Sequence, residues 1–415
     1  MIRYCFGSLF AVVASTSFVI AVPITTTISF QNGADSYTGT FDHRIGPGYS
    51  QVDGSTVNTN TSTYYVDGGA SALNDAGNGQ GLIRFDSIIG GGAIPAGAKI
   101  ITADLQLRTT SESVSANSPT GGAYNVYNLN TAFNSSSTHD DVDFAVGGNG
   151  LAGNVSAIVG SFDGMSTVDS IVNARVDRAV QDWVNGGTNY GLGIRSDRTT
   201  DGWSFNTTHA DVPVANRPKL NVTYTTDPLV DINSYAPSRD SFPNGMSSGT
   251  VGTIVDGSTV AEGFLDGNNG TDLLDQPYLV RFDNLDLNFA SIYKAELVLV
   301  SGFSNSAADS PDPWNVHQML IDWDGSTSYA DLNNAANPVA VPNPNQGPDL
   351  VTGGVLGAVA AVVPSANDTE VIHIDVTSVV QAWLSGDANY GFYIGSAGAS
   401  NGWQIFTSGA PDGGL

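Results

Sequence analysis

Aliphatic and aromatic residues either run together or alternate with polar ones over residues 82–85, 101–107, 124–129 and 220–224, and Gly, Asn, Asp or Pro bounds each run. Short runs of this kind are the mark of buried or half-buried strands. Several of them between turn-rich stretches predict an all-β protein of sandwich or jelly-roll type. One segment breaks the period. Val176, Ala179, Val180 and Trp183 fall at i, i+3, i+4 and i+7, the spacing of one helix face. Asp177 is suited to cap its N-terminus and Gly186 to stop it. The stretches 111–122 and 337–347 are rich in Ser, Asn, Pro and Gly and read as surface loops.

The pattern occurs twice. Val52-Asp53-Gly54-Ser55-Thr56-Val57 recurs letter for letter at 255–260, and Leu82-Ile83-Arg84-Phe85-Asp86 returns as Leu279-Val280-Arg281-Phe282-Asp283. Ala103-Asp104-Leu105-Gln106-Leu107 answers to Ala295-Glu296-Leu297-Val298-Leu299, Tyr124-Asn125-Val126 to Trp314-Asn315-Val316, and Phe133 to Trp323. Val180-Gln181-Asp182-Trp183 answers to Val380-Gln381-Ala382-Trp383, and Gly186, Asn189-Tyr190-Gly191 and Gly202-Trp203 all return unchanged 200 positions later. The second helix is therefore expected on Val376, Val379, Val380 and Trp383, with Thr377 and Gly386 at its ends. Two copies, 22–226 and 228–415, with a seam at 225–227, account for everything after the N-terminal segment. The second copy is expected to be incomplete. Arg217-Pro218-Lys219-Leu220-Asn221-Val222-Thr223-Tyr224 reads as the closing strand of the first copy, and no matching octad follows Trp403.

Residues 1–21 read as a signal peptide. Arg3 precedes an apolar stretch, and Ala21 supplies a small residue before the cut. The stretch is too short and too hydroxylated for a strong membrane span. The one cysteine, Cys5, lies inside it, so the exported chain would rely on its cores rather than on disulfides.

Composition supports strands and turns. Of the 40 acidic residues 36 are Asp, while Gly numbers 49 and Lys only 3, a balance that favours turns over helical surface. The formal charge of −26, with 14 basic residues, argues against nucleic-acid binding and against a polybasic membrane-surface role. Such a surface repels polyanions and has carboxylates to spare for hard cations.

Catalytic patterns are weak. The histidines, at 43, 139, 209, 317 and 373, fall in no zinc-binding spacing. Gly245-Met246-Ser247-Ser248-Gly249 fits the nucleophile-elbow pattern, but Pro243-Asn244 before it and Thr250-Val251-Gly252 after it do not make the required strand and helix. No pair of acids stands out as a glycosidase couple. Calcium is the metal to consider. Asp266, Asn268, Gly270 and Asp272 offer oxygen ligands at alternate positions of one loop, with Asp322, Asp324 and the run Asp140, Asp141, Asp143 as lesser candidates.

For a ligand, Arg84 and Arg281 occupy the same repeat position in a chain poor in cations. Each could reach a sugar hydroxyl or carboxylate, or could neutralise a partly buried Asp. Tyr64, Tyr65, Tyr124 and Trp314 are the candidate stacking platforms. Trp203 and Trp403 share strand parity with Phe205 and Ile405, which places them in the core, and Tyr190 and Tyr390 follow the helix stops and would cover the sandwich end.

The combination of L-[IV]-R-F-D, A-[DE]-L-x-L, V-Q-x-W-x-x-G-x-x-N-Y-G and a final G-W strand resembles the DNRLRE domain, related to the family 96 carbohydrate-binding modules and to disaggregatase-related repeats. The resemblance spans 30–226 and 228–415. It implies a secreted, non-catalytic jelly-roll module that in some members binds polysaccharide such as alginate. With so few cations here, a neutral glycan is the expected ligand, unless bridging calcium serves an acidic one. The expectation is a secreted tandem jelly-roll protein that contacts polysaccharide at a cell surface or in matrix, with no nucleic-acid partner and no membrane insertion. The alternatives are a structural spacer and an ancillary part of a longer polysaccharide-degrading enzyme.

Overall fold

The computed structural model describes residues 22–45, 62–66, 79–110, 124–137, 155–163, 167–196, 203–227, 235–243, 246–247, 250–251, 255–257, 260–265, 276–288, 291–302, 313–328, 331–332, 354–363, 370–396 and 402–410. The fold is all-β, with antiparallel sheets and one short helix in each copy. The first copy runs β1 (Thr25–Gln31), β2 (Thr40–Ile45), β3 (Thr63–Val66), β4 (Gln80–Phe85), β5 (Lys99–Arg108), β6 (Tyr124–Leu129), β7 (Val155–Phe162) and β8 (Ile171–Arg175). The helix Asp177–Val184 follows, then β9 (Leu192–Ser196), β10 (Trp203–Asn206) and β11 (Lys219–Thr225). The second copy runs β12 (Arg239–Phe242), β13 (Met246–Ser247), β14 (Thr250–Val251), β15 (Val255–Asp256), β16 (Glu262–Leu265), β17 (Tyr278–Arg281), β18 (Glu296–Val300), β19 (Trp314–Met319), β20 (Leu356–Val363) and β21 (Val371–Asp375). It ends with the helix Thr377–Leu384, β22 (Phe392–Ser396) and β23 (Trp403–Phe406).

In the first copy a four-stranded sheet, β1-β11-β5-β8, faces a five-stranded sheet, β2-β4-β9-β6-β7, and the pair β3–β10 extends the sandwich. Alternation along β5 puts Ala103, Leu105 and Leu107 inside. They meet Ile83, Phe85, Tyr124, Val126, Trp203, Leu220 and Val222 in one continuous core. Burying side chains of this size stabilises by roughly 1.5–3 kcal/mol each before entropy is counted. In the second copy the sheets are β15-β12-β17-β22-β19-β20, β18–β21 and β16–β23, and β13 pairs with β14.

The repeat seen in the sequence reappears as identical pairing. Leu82 faces Gly193 as Leu279 faces Tyr393; Tyr124 faces Ser196 as Trp314 faces Ser396; Leu105 faces Ala174 as Leu297 faces Ile374; Trp203 faces Val66 as Trp403 faces Leu265. Even the irregularity is shared: the β6–β7 register slips at Val126/Tyr127, and the β19–β20 register at Val316/His317. A bulge on an edge strand twists it away from edge-to-edge pairing, and both copies use it.

Each expected helix is present, but its start differs from the expectation. Val176 and Val376 occupy the cap position, with no side-chain cap. Asp177 and Thr377 are the first helical residues, and their side chains point away from the helix. The Asp177 carboxylate accepts from Ala103 N–H, and Thr377 Oγ1 accepts from Ala295 N–H at 2.9 Å. The cap-like residues thus tie the helix to β5 or β18, a tertiary use of an oxygen that local pattern cannot distinguish from capping. Gly186 (φ +106) and Gly386 (φ +114) do stop the helices in the left-handed region. Residues 1–21 lie outside the described residues. Among the described residues no helix is long and apolar enough to cross a membrane.

Candidate functional site

Three of the four ring platforms expected from sequence are core residues. Tyr64, Tyr124 and Trp314 are at most 1% exposed. Tyr124 stacks on Phe162, with centroids 5.6 Å apart, and Trp314 packs against Trp403 at 6.0 Å. The platform expectation for these rings is corrected: they lie on the faces of β3, β6 and β19 that look into the sandwich cores, where the opposite layer covers them. Tyr65, the next residue of β3, points the other way and is half-buried, with the Arg44 guanidinium 5.8 Å from its ring centre. Trp203 and Trp403 are in the core as expected, donating Nε1–H to Thr109 Oγ1 and Ser301 Oγ, each at 3.0 Å.

Arg84 and Arg281 serve the fold. Arg84 lies between the rings of Phe41 and Phe133, 5.6 and 5.2 Å from their centres. It donates to Asp86 at 2.7 and 3.3 Å and to the Phe133 carbonyl at 3.0 Å. Arg281 pairs with Asp283 and Asp322 and lies 5.8 Å from the Tyr390 ring centre. Of the two uses open in the sequence, these guanidiniums make the Asp pair and so have little left to offer a ligand. The Arg position can be read from the repeat, whereas the loop residues that meet it, Phe133 and Asp322, cannot.

Asp266, Asn268, Gly270 and Asp272 lie outside the described residues, as do Asp140, Asp141 and Asp143. Asp322 is paired with Arg281. Asp324 Oδ1 accepts from Ser326 N–H at 2.8 Å and Ser326 Oγ at 2.6 Å, and these bonds hold its carboxyl below the usual range. Asn134 makes the same turn with Ser136 in the first copy, so the motif does not need a charge. Among the described residues no group of three or more His, Cys, Asp or Glu side chains is gathered for a metal.

Three arrangements were not foreseen. The first is a buried carboxylate in each copy. Asp42 accepts from Thr208 N–H at 2.6 Å and Thr208 Oγ1 at 3.0 Å, and Asp240 accepts from Ser408 N–H at 2.9 Å and Tyr278 Oη at 3.1 Å. Desolvation pushes the Asp42 carboxyl up to about 6, outweighing the Thr208 bonds that favour its charge. The signal was available: Thr207-Thr208 and Thr407-Ser408 continue the 200-residue shift beyond Trp203 and Trp403.

The second is the junction between the copies. Arg175, at the end of β8, donates from Nη1 to Glu296 Oε1 of the second copy at 2.7 Å, while its Nη2 pairs with Asp177. Lys294 Nζ lies 3.0 Å from Glu296 Oε1. His373 Nδ1 lies 3.6 Å from Oε2, a distance for an ion pair rather than a hydrogen bond. Burial pushes the Glu296 carboxyl up, yet the contacts with His373, Arg175 and Lys294 outweigh it and hold the group well below the ordinary range. Val371 N–H adds a bond to Ser161 Oγ at 2.6 Å.

The third is the outer face of β1-β11-β5-β8. Register aligns Thr27, Thr223 and Thr102 in one row, Ser29, Asn221, Asp104 and Arg175 in a second, and Gln31, Lys219, Gln106 and Asn173 in a third. Thr27 and Thr223 hydroxyls bond at 2.8 Å, Ser29 Oγ donates to Asn221 Oδ1 at 2.7 Å, and Gln106 Nε2 donates to Asn173 Oδ1 at 3.1 Å. These bonds hold exposed hydroxyls and amides in fixed rows at the ~4.8 Å strand spacing. Compared with protein-family models and with curated proteins, the chain finds no match.

Proposed function

We propose that the chain is a secreted, non-catalytic protein of tandem jelly-roll modules that binds neutral polysaccharide or cell-surface glycan. The observation that carries this reading is the ordered face of hydroxyl and amide side chains on β1-β11-β5-β8. Sugar hydroxyls both donate and accept, and so do the Thr, Ser, Asn and Gln side chains that make up most of the rows, while Asp104, Lys219 and Arg175 in the same rows each add one role only. With Tyr64, Tyr124 and Trp314 buried, recognition rests on this polar face rather than on stacking. Each contact replaces a bond to water, so a single face binds weakly, and avidity along a repeating polymer supplies the rest.

Affinity electrophoresis through gels containing neutral or acidic polysaccharide, with and without calcium, tests the reading. Retardation by a neutral polymer is expected, weakened several-fold by Asn221→Ala with Gln106→Ala at unchanged thermal stability. Equal mobility in every gel would overturn it. The Arg175–Glu296 junction favours a second reading, a structural spacer, because it ties the two sandwiches together through a partly buried ion pair. A spacer runs through every gel unretarded.

A further inference from the structure

Sideways bonding gives the outer face of β1-β11-β5-β8 a direction. Ser29 Oγ spends its one O–H on Asn221 Oδ1 at 2.7 Å, and Gln31 Nε2 donates to the Arg217 carbonyl at 2.8 Å. What β1 leaves unshared at these positions is mainly acceptor, namely the Ser29 lone pairs and Gln31 Oε1. On β11 the balance is reversed. Asn221 has its carbonyl oxygen engaged and its Nδ2–H groups unshared, and Lys219, two residues before it on the same face, can only donate. On β5, Asp104 can only accept. Gln106 donates from Nε2 to Asn173 Oδ1 at 3.1 Å, which leaves Gln106 Oε1 unshared and, on β8, the Asn173 Nδ2–H groups. Register sets Ser29, Asn221 and Asp104 in one row and Gln31, Lys219, Gln106 and Asn173 in the next. Across the strands both rows run acceptor, donor, acceptor, and the second ends on a donor. Columns of opposite role thus stand about 4.8 Å apart, the strand spacing. Lys219 and Asp104 fix the order, since neither can reverse its role.

We infer that the glycan taken by this face carries acetamido groups, as a polymer of N-acetylhexosamine does; this rests on the polysaccharide reading and narrows it. A hydroxyl rotates to suit any partner. An all-hydroxyl sugar therefore gains the same from either kind of column, and it freezes a rotor for each bond it makes. An acetamido group is planar and holds its N–H and C=O in opposed directions. It lays the N–H on an acceptor of β5 and the C=O on a donor of β11 or β8 at the same time, with the roles already set before binding. A polymer that offers mainly acceptors, such as a uronate, finds no partner at Asp104 and is repelled by the chain's net charge of −26.

The probes are glycol chitin and hydroxyethyl cellulose, each cast into a gel through which the full chain is run. Both polymers are neutral and share a β-linked pyranose backbone, and they differ in the acetamido group that replaces one hydroxyl on each ring. With mobility referred to a polymer-free gel, the expected result is several-fold stronger retardation by glycol chitin. Asn221→Asp keeps an oxygen for Ser29 and exchanges the Nδ2–H donors for an acceptor. It should bring retardation by glycol chitin down to that by hydroxyethyl cellulose, at unchanged thermal stability. Equal or stronger retardation of the unsubstituted chain by hydroxyethyl cellulose, or a preference that survives Asn221→Asp, would overturn the inference and leave the wider polysaccharide reading in place. Retardation by another neutral polymer with none by glycol chitin does the same. Passage through every gel unretarded removes the polysaccharide reading itself, and the inference with it.

Discussion

The two copies share pairing register, helix and arginine position, yet they surround their helical tryptophan differently. Trp183 donates Nε1–H to Asn128 Oδ1 at 3.0 Å beneath a four-stranded layer. Trp383 occupies the equivalent place beside Phe392, but Gln318 stands where Asn128 would, and among the described residues its Nε1–H has no acceptor. Duplication thus preserved the hydrophobic frame and let the polar detail drift. A shared register does not imply shared stability: that depends on the closing layer and on a single amide.

The sharpest way to break the comparison is to remove the indoles. Trp183→Ala is expected to destabilise the first copy by about 3–5 kcal/mol, because a large aromatic leaves a cavity that a two-sheet core cannot close. Trp383→Ala should cost about 1–2 kcal/mol less, since the loss includes no hydrogen bond and the site is already less completely covered. Denaturant melts of each variant, followed by tryptophan fluorescence and calorimetry, measure both. Equal losses would show that the closing layer and Asn128 add nothing to the packing of the helix.

This asymmetry marks the limit of what sequence pattern can reveal. The 200-residue shift, the strands at 82–85, 101–107, 124–129 and 220–224, and the inward Trp203 and Trp403 were legible because each follows from period two or from self-similarity. β1 and β7 carry Thr, Ser or Gly at several positions, β2 mixes Thr, Asp, His and Arg, and β3 and β8 are only four and five residues long, so none of the five stands out as a hydrophobic run. Residue type alone suggested that Tyr64, Tyr124 and Trp314 were ligand platforms. Which face of a strand is solvated depends on what packs across it, and that is tertiary information. The rows of Thr, Asn and Gln on the outer face were invisible for the same reason: β1 and β11 are about 190 residues apart in sequence and meet only in the sheet.

Acid should separate the first copy from the junction, with opposite signs. The Asp42 carboxyl is raised from 3.8 to about 6 in the fold. The folded state therefore takes up a proton that the unfolded chain does not hold between those values, and the first copy gains stability as pH falls through 6 and loses it as pH rises. The two-unit shift corresponds to about 3 kcal/mol at most. Asp42→Asn should remove this slope while Asn Oδ1 still accepts from Thr208 N–H. Glu296 behaves in the reverse sense. Its carboxyl is held low by His373, Arg175 and Lys294, so its contribution is complete above the ordinary carboxylate range and is lost as pH falls below it. Glu296→Gln should weaken the coupling between the copies by about 1–2 kcal/mol at neutral pH, the worth of a partly buried charge-assisted contact. The test is whether the two unfolding transitions move apart in calorimetry. Transitions unchanged in position would show that the pair does not couple the copies.

The smallest effect is also the most specific to the comparison. If a missing acceptor is what distinguishes Trp383 from Trp183, shortening Gln318 to the amide found in the first copy should repair it. Both residues occupy the same place in the sheet, Asn128 facing Leu192 and Gln318 facing Phe392, so Gln318→Asn sets an Oδ1 at the height where Trp183 finds its partner. A buried N–H that gains an acceptor stabilises by about 1 kcal/mol, and the reciprocal Asn128→Gln should cost the first copy a similar amount. A double-mutant cycle with Trp383→Phe then isolates the indole bond, because Phe keeps the packing and drops the donor. A coupling near zero in the second copy, with a measurable one for Asn128 and Trp183, would mean that the longer Gln318 had displaced the backbone around Phe392, and the drift between copies would then be one of strand position rather than of a single polar atom.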